Sequence, residues 1–162
     1  MIKEGSPHLG SVSAPVTIID FSDFQCYLCA RYVRNTKPKI NETYIQTGKV
    51  NLVFKHLPNR GTGSMGAAIA AQCTNDQGMF WQFHNLLYEN QGQIDSGWVS
   101  KDNLKKLASK IRGLDIQKYK SWLPSCFHFW WNRGNRINIS FQLPDSATCY
   151  IHSSFSVGII FS

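Results

Sequence analysis

Apolar and polar positions along the chain predict alternating strands and helices. Residues 16–21 form a nearly continuous apolar run rich in β-branched side chains, which predicts a buried central strand. Residues 26–47 have a helical pattern that Pro38 interrupts and Gly48 ends. Residues 50–56 alternate well enough for a second strand. This order predicts two parallel strands joined by a right-handed crossover, with the helix as the crossover.

The chain beyond the second strand is predicted to be mainly helical. The glycine-rich segment 59–63 lacks the spacing of a phosphate loop and is predicted to be an ordinary loop. Ser100 is a predicted N-cap. The helical stretches that follow the loop are 64–75, 78–90, 100–111 and a short fourth that begins near Asp115.

Two cysteines stand where the first strand gives way to the first helix. Cys26 and Cys29 are three positions apart, so at a helix start they lie one turn apart and can form or exchange a disulfide. The attacking species is the thiolate, and an ordinary cysteine pKa of about 8.5 leaves little of it at pH 7. A helix N-terminus stabilises the anion on the first cysteine. We therefore predict that Cys26 is the nucleophile and Cys29 the resolving thiol.

A CxxC pair can instead be half of a zinc site, which needs a second pair of ligands at compatible spacing. The other cysteines, Cys73, Cys126 and Cys149, stand singly, and no HxxxH or second CxxC motif occurs. Redox chemistry is therefore favoured, and neither a metal nor an organic cofactor is predicted. Cys73 lies in an apolar helical stretch and is predicted to be an inert packing residue.

Three segments resemble the DsbA-like disulfide oxidoreductases of the thioredoxin fold. Residues 10–29 look like the opening of that family, 48–58 like its second strand and 70–84 like its inserted helical subdomain. The resemblance is continuous from about residue 6 to 121. It implies a thioredoxin-like α/β fold.

The resemblance also implies a domain organisation. Residues 1–162 are expected to form a single thioredoxin-like domain, with a helical insertion at about 64–122 and an atypical tail at 122–162. The closing ββα part of the fold is expected to be incomplete or divergent.

By the same resemblance, the chain is expected to be a protein-disulfide oxidoreductase that oxidises thiols of protein substrates and works with a redox partner protein. The dipeptide Tyr27-Leu28 replaces the more usual Pro-Phe or Pro-His, and oxidation, reduction and isomerisation all stay open. The other function class is a non-catalytic thioredoxin-like binding module, or an inactive product with a frameshifted C-terminus. The resemblance implies an extracytoplasmic or periplasmic location, although residues 1–5 lack the apolar stretch of a secretory signal.

Asp20 is a third candidate catalytic residue, six positions before Cys26 at the end of the predicted central strand. Related thioredoxins carry a buried acid beside the dithiol there. A buried carboxylate has a raised pKa and can exchange a proton with the resolving thiol. The alternative is that Asp20 faces solvent or caps a turn. Asp23 is predicted to be a loop or cap residue, and His84 to be structural.

The formal charge of +7 does not indicate a nucleic-acid partner, because the lysines are scattered. The close lysines lie at 101, 105, 106 and 110 and fit one solvated helix face. No segment reaches the roughly 18 apolar residues of a transmembrane helix. We therefore predict neither nucleic-acid binding nor stable membrane insertion.

Composition changes sharply after Ser121. Residues 121–162 contain no lysine and no glutamate, whereas the first 120 residues contain eleven lysines and three glutamates. The family's cis-proline step, two closing strands and last helix are not recognisable there, so an unpaired sheet edge is expected. Two explanations stay open, a shifted reading frame and a truly divergent closing segment. The candidate X-Pro steps are Leu123-Pro124 and Leu143-Pro144, and the β-like runs are 137–142, 148–152 and 156–161.

Overall fold

The computed structural model divides into two compact units. The described residues are 6–121, 123–124, 149–151 and 157–161, the last two segments as backbone only. Of these, a sheet unit contains 6–22, 27–57, 149–151 and 157–161. A helical unit contains 23–26, 58–121 and 123–124. Between residues 6 and 121 the chain therefore passes from one unit to the other three times, after Ser22, after Cys26 and after Leu57. The predicted single domain, with its insertion at 64–122, stays a prediction.

The described part of the sheet unit contains a five-stranded sheet in the order β1-β3-β2-β5-β4. Its strands are β1 (His8–Leu9), β2 (Val16–Ser22), β3 (Val50–His56), β4 (Cys149–Ile151) and β5 (Val157–Phe161). β2 and β3 are parallel, with Val16 opposite Val50 and Ser22 opposite His56, and the other pairs are antiparallel. The predicted central strand and its parallel neighbour are confirmed, and the short strand β1 was not predicted.

The burial pattern of β2 puts polar groups on its most buried face. Ile18, Asp20 and Ser22 alternate with less buried neighbours, so they share one side of the strand. In β3, by contrast, four of the first five residues are apolar, and all five are buried. Because burying a polar group without a partner costs free energy, an aspartate and a serine on that face indicate a specialised site.

Two strands from the atypical tail complete the sheet beside β2. β5 pairs with β2, with Asp20 opposite Val157, and β4 pairs with β5. The β-like runs predicted at 148–152 and 156–161 are therefore confirmed, and the expected unpaired edge at β2 is wrong. Leu123-Pro124 is helical, and no cis peptide bond occurs among the described residues. The run 137–142, the Leu143-Pro144 step and any last helix lie outside the described residues.

The segment after β2 is helical as predicted, but in pieces. It consists of α1 (Tyr27–Asn35), α2 (Lys37–Ile40) and a π-helical turn (Asn41–Ile45). Pro38 lies in the first turn of α2, where its missing N–H costs no hydrogen bond, so the helix breaks just before it. The predicted interruption is confirmed, and the π-helical turn was not predicted. Gly48 follows with φ +74°, a conformation that favours glycine.

The helical unit has helices where the sequence predicts them. They are α3 (Ser64–Asn75), α4 (Phe80–Glu89), α5 (Lys101–Ala108) and α6 (residues 116–121). The Ser100 hydroxyl caps α5 by accepting a hydrogen bond from the backbone N–H of Asn103 at 3.4 Å. In the described part of the chain, no helix is both long and apolar enough to span a membrane. The core of this unit includes Phe80, Phe83, Leu87, Leu104 and Tyr119.

Two residues of the helical core test predictions about side chains. Cys73 is buried in α3 and is disulfide-bonded, so its prediction as an inert packing thiol is wrong. Its partner lies outside the residues whose side chains are described. His84 is buried in α4 among the rings of Phe24, Trp81 and Tyr88, which agrees with its predicted structural role.

Candidate active site

The dithiol lies at the first turn of α1. Cys26 directly precedes this helix and Cys29 is its third residue, and both carry thiols that are half-buried. The backbone N–H of Cys26 donates to the carbonyl oxygen of Asp23 at 3.0 Å, so the chain turns just before the helix begins. Tyr27 and Leu28, between the cysteines, are 68% and 38% exposed. The predicted placement of the CxxC motif at a helix start is confirmed.

Asp20 is fully buried on β2, so the alternative in which it faces solvent is wrong. The Ser22 hydroxyl donates a hydrogen bond to Asp20 Oδ1, while Oδ2 has no hydrogen-bond partner among the described residues. Burial raises the pKa of Asp20 to about 6, although the hydrogen bond from Ser22 and the charge of Lys37 oppose the shift. Asp20 is therefore poised to change its protonation state near neutral pH.

Two further groups belong to the same buried polar cluster of Asp20, Ser22, Tyr32 and Lys37. Burial lowers the pKa of Lys37 to about 8, and the charge of Asp20 opposes that shift. Burial raises the pKa of Tyr32, and the charge of Asp20 raises it further. The Tyr32 hydroxyl has no hydrogen-bond partner among the described residues. The cluster thus holds an acid and a base whose pKa values have moved toward each other.

An Asp20→Asn variant is expected to change how stability depends on pH. Between about pH 4 and pH 6 an unfolded aspartate has lost its proton, whereas Asp20 in the fold keeps it, so the free energy of unfolding falls as pH rises through this window. Above pH 6 the loss is complete and amounts to about 3 kcal/mol. We expect the variant to be more stable at pH 7 by up to that amount. Urea unfolding of both proteins at pH 4, 5, 6 and 7 checks this, and curves that run parallel contradict it.

Asp23 is the centre of a hydrogen-bond network that the sequence did not reveal. Its carboxylate is buried and accepts four hydrogen bonds. Oδ1 accepts from the backbone N–H of Gln25 at 2.8 Å and from the hydroxyl of Ser64 at 2.8 Å. Oδ2 accepts from the backbone N–H groups of Asn59 and Arg60, both at 2.7 Å. The predicted cap role is therefore correct, and the capped groups include those of the glycine-rich loop.

Gln25 and Asp95 form a second connection between the same segments. Gln25 Nε2 donates to the carbonyl oxygen of Arg60 at 3.0 Å, and Gln25 Oε1 accepts from the backbone N–H of Asp95 at 3.0 Å. Hydrogen bonds from Gly63 N–H, Gln25 and Thr62 lower the pKa of the exposed Asp95 carboxyl. Gly61 has φ +113°, and a Cβ there would lie 2.6 Å from the Asp95 carboxylate oxygens, so the loop requires glycine at this position.

The end of α4 contacts the backbone of the segment that leads into the dithiol. The Tyr88 hydroxyl donates to the carbonyl oxygen of Asp23 at 3.2 Å. Gln91 Nε2 donates to the carbonyl oxygens of Phe24 at 2.7 Å and Cys26 at 3.1 Å. The segment 23–26 is thus held throughout by hydrogen bonds to the rest of the helical unit. The only sign of this network in the sequence was that the polar residues Asp23 and Gln25 flank the apolar Phe24. No pattern near Gln91 in the sequence indicated its role.

Comparison with known proteins places this chain in a family. A family model described as Thioredoxin matches residues 3–128. Disulfide bond formation protein D of Bacillus subtilis is 33% identical over 119 residues, which are 72% of this chain and 54% of that protein. Probable disulfide bond formation protein D of Bacillus cereus is 34% identical over 120 residues, 72% of this chain and 56% of that protein. The chain therefore spans about half the length of these curated relatives.

A solved structure agrees over almost the whole chain. The crystal structure of oxidised BdbD from Bacillus subtilis has a TM-score of 0.72 at 26% sequence identity, covering 98% of this chain and 83% of that chain. The predicted thioredoxin-like fold is confirmed. By its family match, its dithiol at the start of α1 and this structural likeness, the chain belongs to the thioredoxin family, among the DsbA-like thioredoxin-fold oxidoreductases.

Proposed function

We propose that this chain is a thiol-disulfide oxidoreductase that acts on protein cysteines. The observation that carries the proposal is the Cys26-Tyr27-Leu28-Cys29 dithiol at the start of α1, directly after the central strand. A helix start stabilises a thiolate on the first cysteine, which is the requirement for attack and for release. Relatives named disulfide bond formation proteins support the same chemistry.

The proposed reaction transfers one disulfide and two electrons. In the oxidising direction, a substrate thiolate attacks Cys26 Sγ of the Cys26–Cys29 disulfide, which forms a mixed disulfide and releases Cys29 as a thiolate that takes up a proton. A second substrate thiolate then attacks the substrate sulfur of the mixed disulfide. The substrate leaves with a disulfide, and the chain is left as the dithiol, reduced by two electrons. A redox partner protein reoxidises it.

Asp20 is proposed to handle the proton of Cys29. In the reducing direction Cys29 must lose its proton before it attacks the mixed disulfide, and in the oxidising direction it must gain one. A carboxyl with a pKa of about 6 is largely ionised at pH 7 and still accepts a proton readily. Asp20 lies on the strand that leads to the dithiol, and both Asp20 and Cys29 belong to the sheet unit.

The proposed substrates are protein thiols and disulfides, and the proposed location is extracytoplasmic or periplasmic. Oxidation of thiols is useful where disulfides persist, and reducing compartments reverse it. The exposed side chains of Tyr27 and Leu28 beside the reactive sulfur support a protein substrate, because they offer apolar surface to a partner chain. The names of the relatives indicate only the class of the substrates and of the redox partner, and no particular protein.

A Cys29→Ser variant tests the proposal by trapping its intermediate. Reduced Cys29→Ser protein is mixed with a peptide disulfide. The Cys26 thiolate attacks one peptide sulfur, the other peptide leaves as a thiol, and without the resolving thiol the mixed disulfide on Cys26 is expected to persist. Mass spectrometry without reductant is expected to show one added peptide on Cys26, and dithiothreitol is expected to remove it. Protein with both Cys26→Ser and Cys29→Ser is the control and gains no peptide at these positions. An absence of adduct on Cys29→Ser contradicts the proposal and favours a non-catalytic module.

The direction of the reaction is set by the reduction potential. Equilibrium of the dithiol with glutathione buffers, read by alkylation and mass, gives this potential. Among known members of the fold, a reduction potential of about −120 mV marks an oxidant of the DsbA type, and one of about −270 mV marks a reductant. We propose the oxidising assignment, and a value near the reductant end would overturn it.

A further inference from the structure

Gln91 is the side chain of the helical unit whose amide contacts the backbone of the nucleophilic cysteine itself. Its Nε2 donates to the carbonyl oxygens of Phe24 at 2.7 Å and Cys26 at 3.1 Å. An amide nitrogen has two hydrogens, so these two bonds use its whole donor capacity. A residue 65 positions away in sequence therefore fixes two peptide groups, the one that joins Phe24 to Gln25 and the one that joins Cys26 to Tyr27.

The position of Gln91 is itself well determined. It follows directly on the C-cap of α4, and its backbone N–H donates to the carbonyl oxygen of Tyr88 at 3.4 Å. Tyr88 is buried, its ring lies 5.2 Å from that of Phe24, and its hydroxyl donates to Asp23. The last turn of α4 thus presents Gln91 to the segment 23–26 from a packed, rigid base.

The carbonyl that Gln91 contacts has a special place in the reaction. Cys26 immediately precedes α1, so its carbonyl oxygen is the first acceptor of the helix. A second donor on the same oxygen restrains the peptide plane that joins Cys26 to Tyr27. That plane sets where the unpaired N–H groups of the first turn point, and these groups stabilise the thiolate of Cys26.

We propose that Gln91 is a positioning residue for disulfide exchange, which acts by holding the carbonyl group of Cys26 so that the thiolate stays against the N–H groups of α1. This rests on the proposed function of the dithiol. Gln91 touches neither sulfur nor substrate and acts only through Cys26. The loss of its amide donor therefore makes the thiolate less stable relative to the thiol, and the reduction potential less oxidising.

The test compares Gln91→Met, which keeps the length of the side chain but has no donor, with Gln93→Met. Gln93 is exposed and lies two residues further along the same loop. The rate of alkylation of reduced Cys26 by iodoacetamide is measured from pH 4 to pH 10, with the modified cysteine located by mass spectrometry. Because the rate follows the thiolate fraction, Gln91→Met is expected to react about 3- to 10-fold more slowly near pH 5 and at the parental rate near pH 10.

A merely structural role predicts a different result. It lowers the unfolding temperature and leaves the midpoint of the alkylation profile where Gln93→Met has it, which overturns the proposal. Gln91→Asn is the second variant, for use if Gln91→Met does not fold. It keeps the amide but is one methylene shorter, so it cannot reach both carbonyl oxygens. The midpoint of its alkylation profile is expected to move in the same direction as that of Gln91→Met. All variants keep the other ionisable groups near Cys26. In 23–26, 88–95 and the first turn of α1 these groups are Asp23, Tyr88, Glu89, Asp95, Tyr27 and Cys29.

Failure of this proposal is separable from failure of the proposed function. If the Cys29→Ser variant, with Gln91 unchanged, forms no mixed disulfide, the proposed function fails, whatever Gln91 does. Parental protein that exchanges disulfides, together with a Gln91→Met profile that superposes on that of Gln93→Met, overturns only the role of Gln91. A displaced profile for Gln91→Met alone supports it.

Discussion

A Cys26→Ser variant is expected to lose catalysed disulfide exchange, with a rate reduced on the order of 10³-fold or more, to the background of the assay. Every step of the proposed reaction passes through a covalent bond to Cys26 Sγ, and a serine hydroxyl cannot form it. Cys29 does not substitute, because it is the third residue of α1 and so lies further into the helix than Cys26, whose thiolate the helix start favours. Reduction of a model protein disulfide by dithiothreitol, with and without the variant, measures the loss.

The comparison needs a protein that is still folded. Cys26 is half-buried, so an oxygen in place of the sulfur is expected to leave the far-ultraviolet circular dichroism and the urea midpoint nearly unchanged. A variant that folds and turns over the disulfide as fast as the parent would show that Cys26 is not the nucleophile. The enzymatic assignment would then fail, and a binding module would be the better interpretation.

The sequence predicted those elements whose pattern is local. The strand at 50–56 and the helix at 64–75 have the bounds of β3 and α3, because the period of their apolar positions is complete within each element. The dithiol was legible for the same reason, since Cys26 and Cys29 are three positions apart and their chemistry depends on the helix start between them. Local periodicity and local spacing together were enough for the parallel strand pair and for the place of the dithiol, whereas the thioredoxin-like fold was expected from the resemblance to the DsbA-like family.

Features that depend on distant partners were not predictable. The hydrogen bonds of Asp23 reach residues 35 to 41 positions away, and that of Gln91 reaches back 65, so no spacing in the sequence marks them. The strands β4 and β5 were predicted as β-like runs, but their places in the sheet depend on pairing, since β5 pairs with the distant β2 and β4 with β5. The buried position of Asp20 was open for the same reason, because an acid on a strand gives no local sign of which side is covered.

An Asp23→Ala variant is expected to lower the free energy of unfolding by about 3–5 kcal/mol. The substitution removes the acceptor of four hydrogen bonds at a position where the side chain is 4% exposed, and it leaves three backbone N–H groups and the Ser64 hydroxyl without this partner. Such a loss is a large part of the 5–15 kcal/mol that typically holds a domain folded. Urea unfolding followed by tryptophan fluorescence and circular dichroism measures it.

The matched control for this variant is Asp76→Ala, because Asp76 is exposed at the end of α3 and its loss is expected to cost less than about 0.5 kcal/mol. Asp23→Asn keeps one acceptor oxygen but turns an NH2 group toward two N–H donors, so its stability is expected to fall between those of the parent and Asp23→Ala. Equal stability of the two alanine variants would contradict the network. The expected order, by contrast, would mean that a buried carboxylate holds the segment 23–26, which ends at Cys26, in place against the glycine-rich loop and the start of α3.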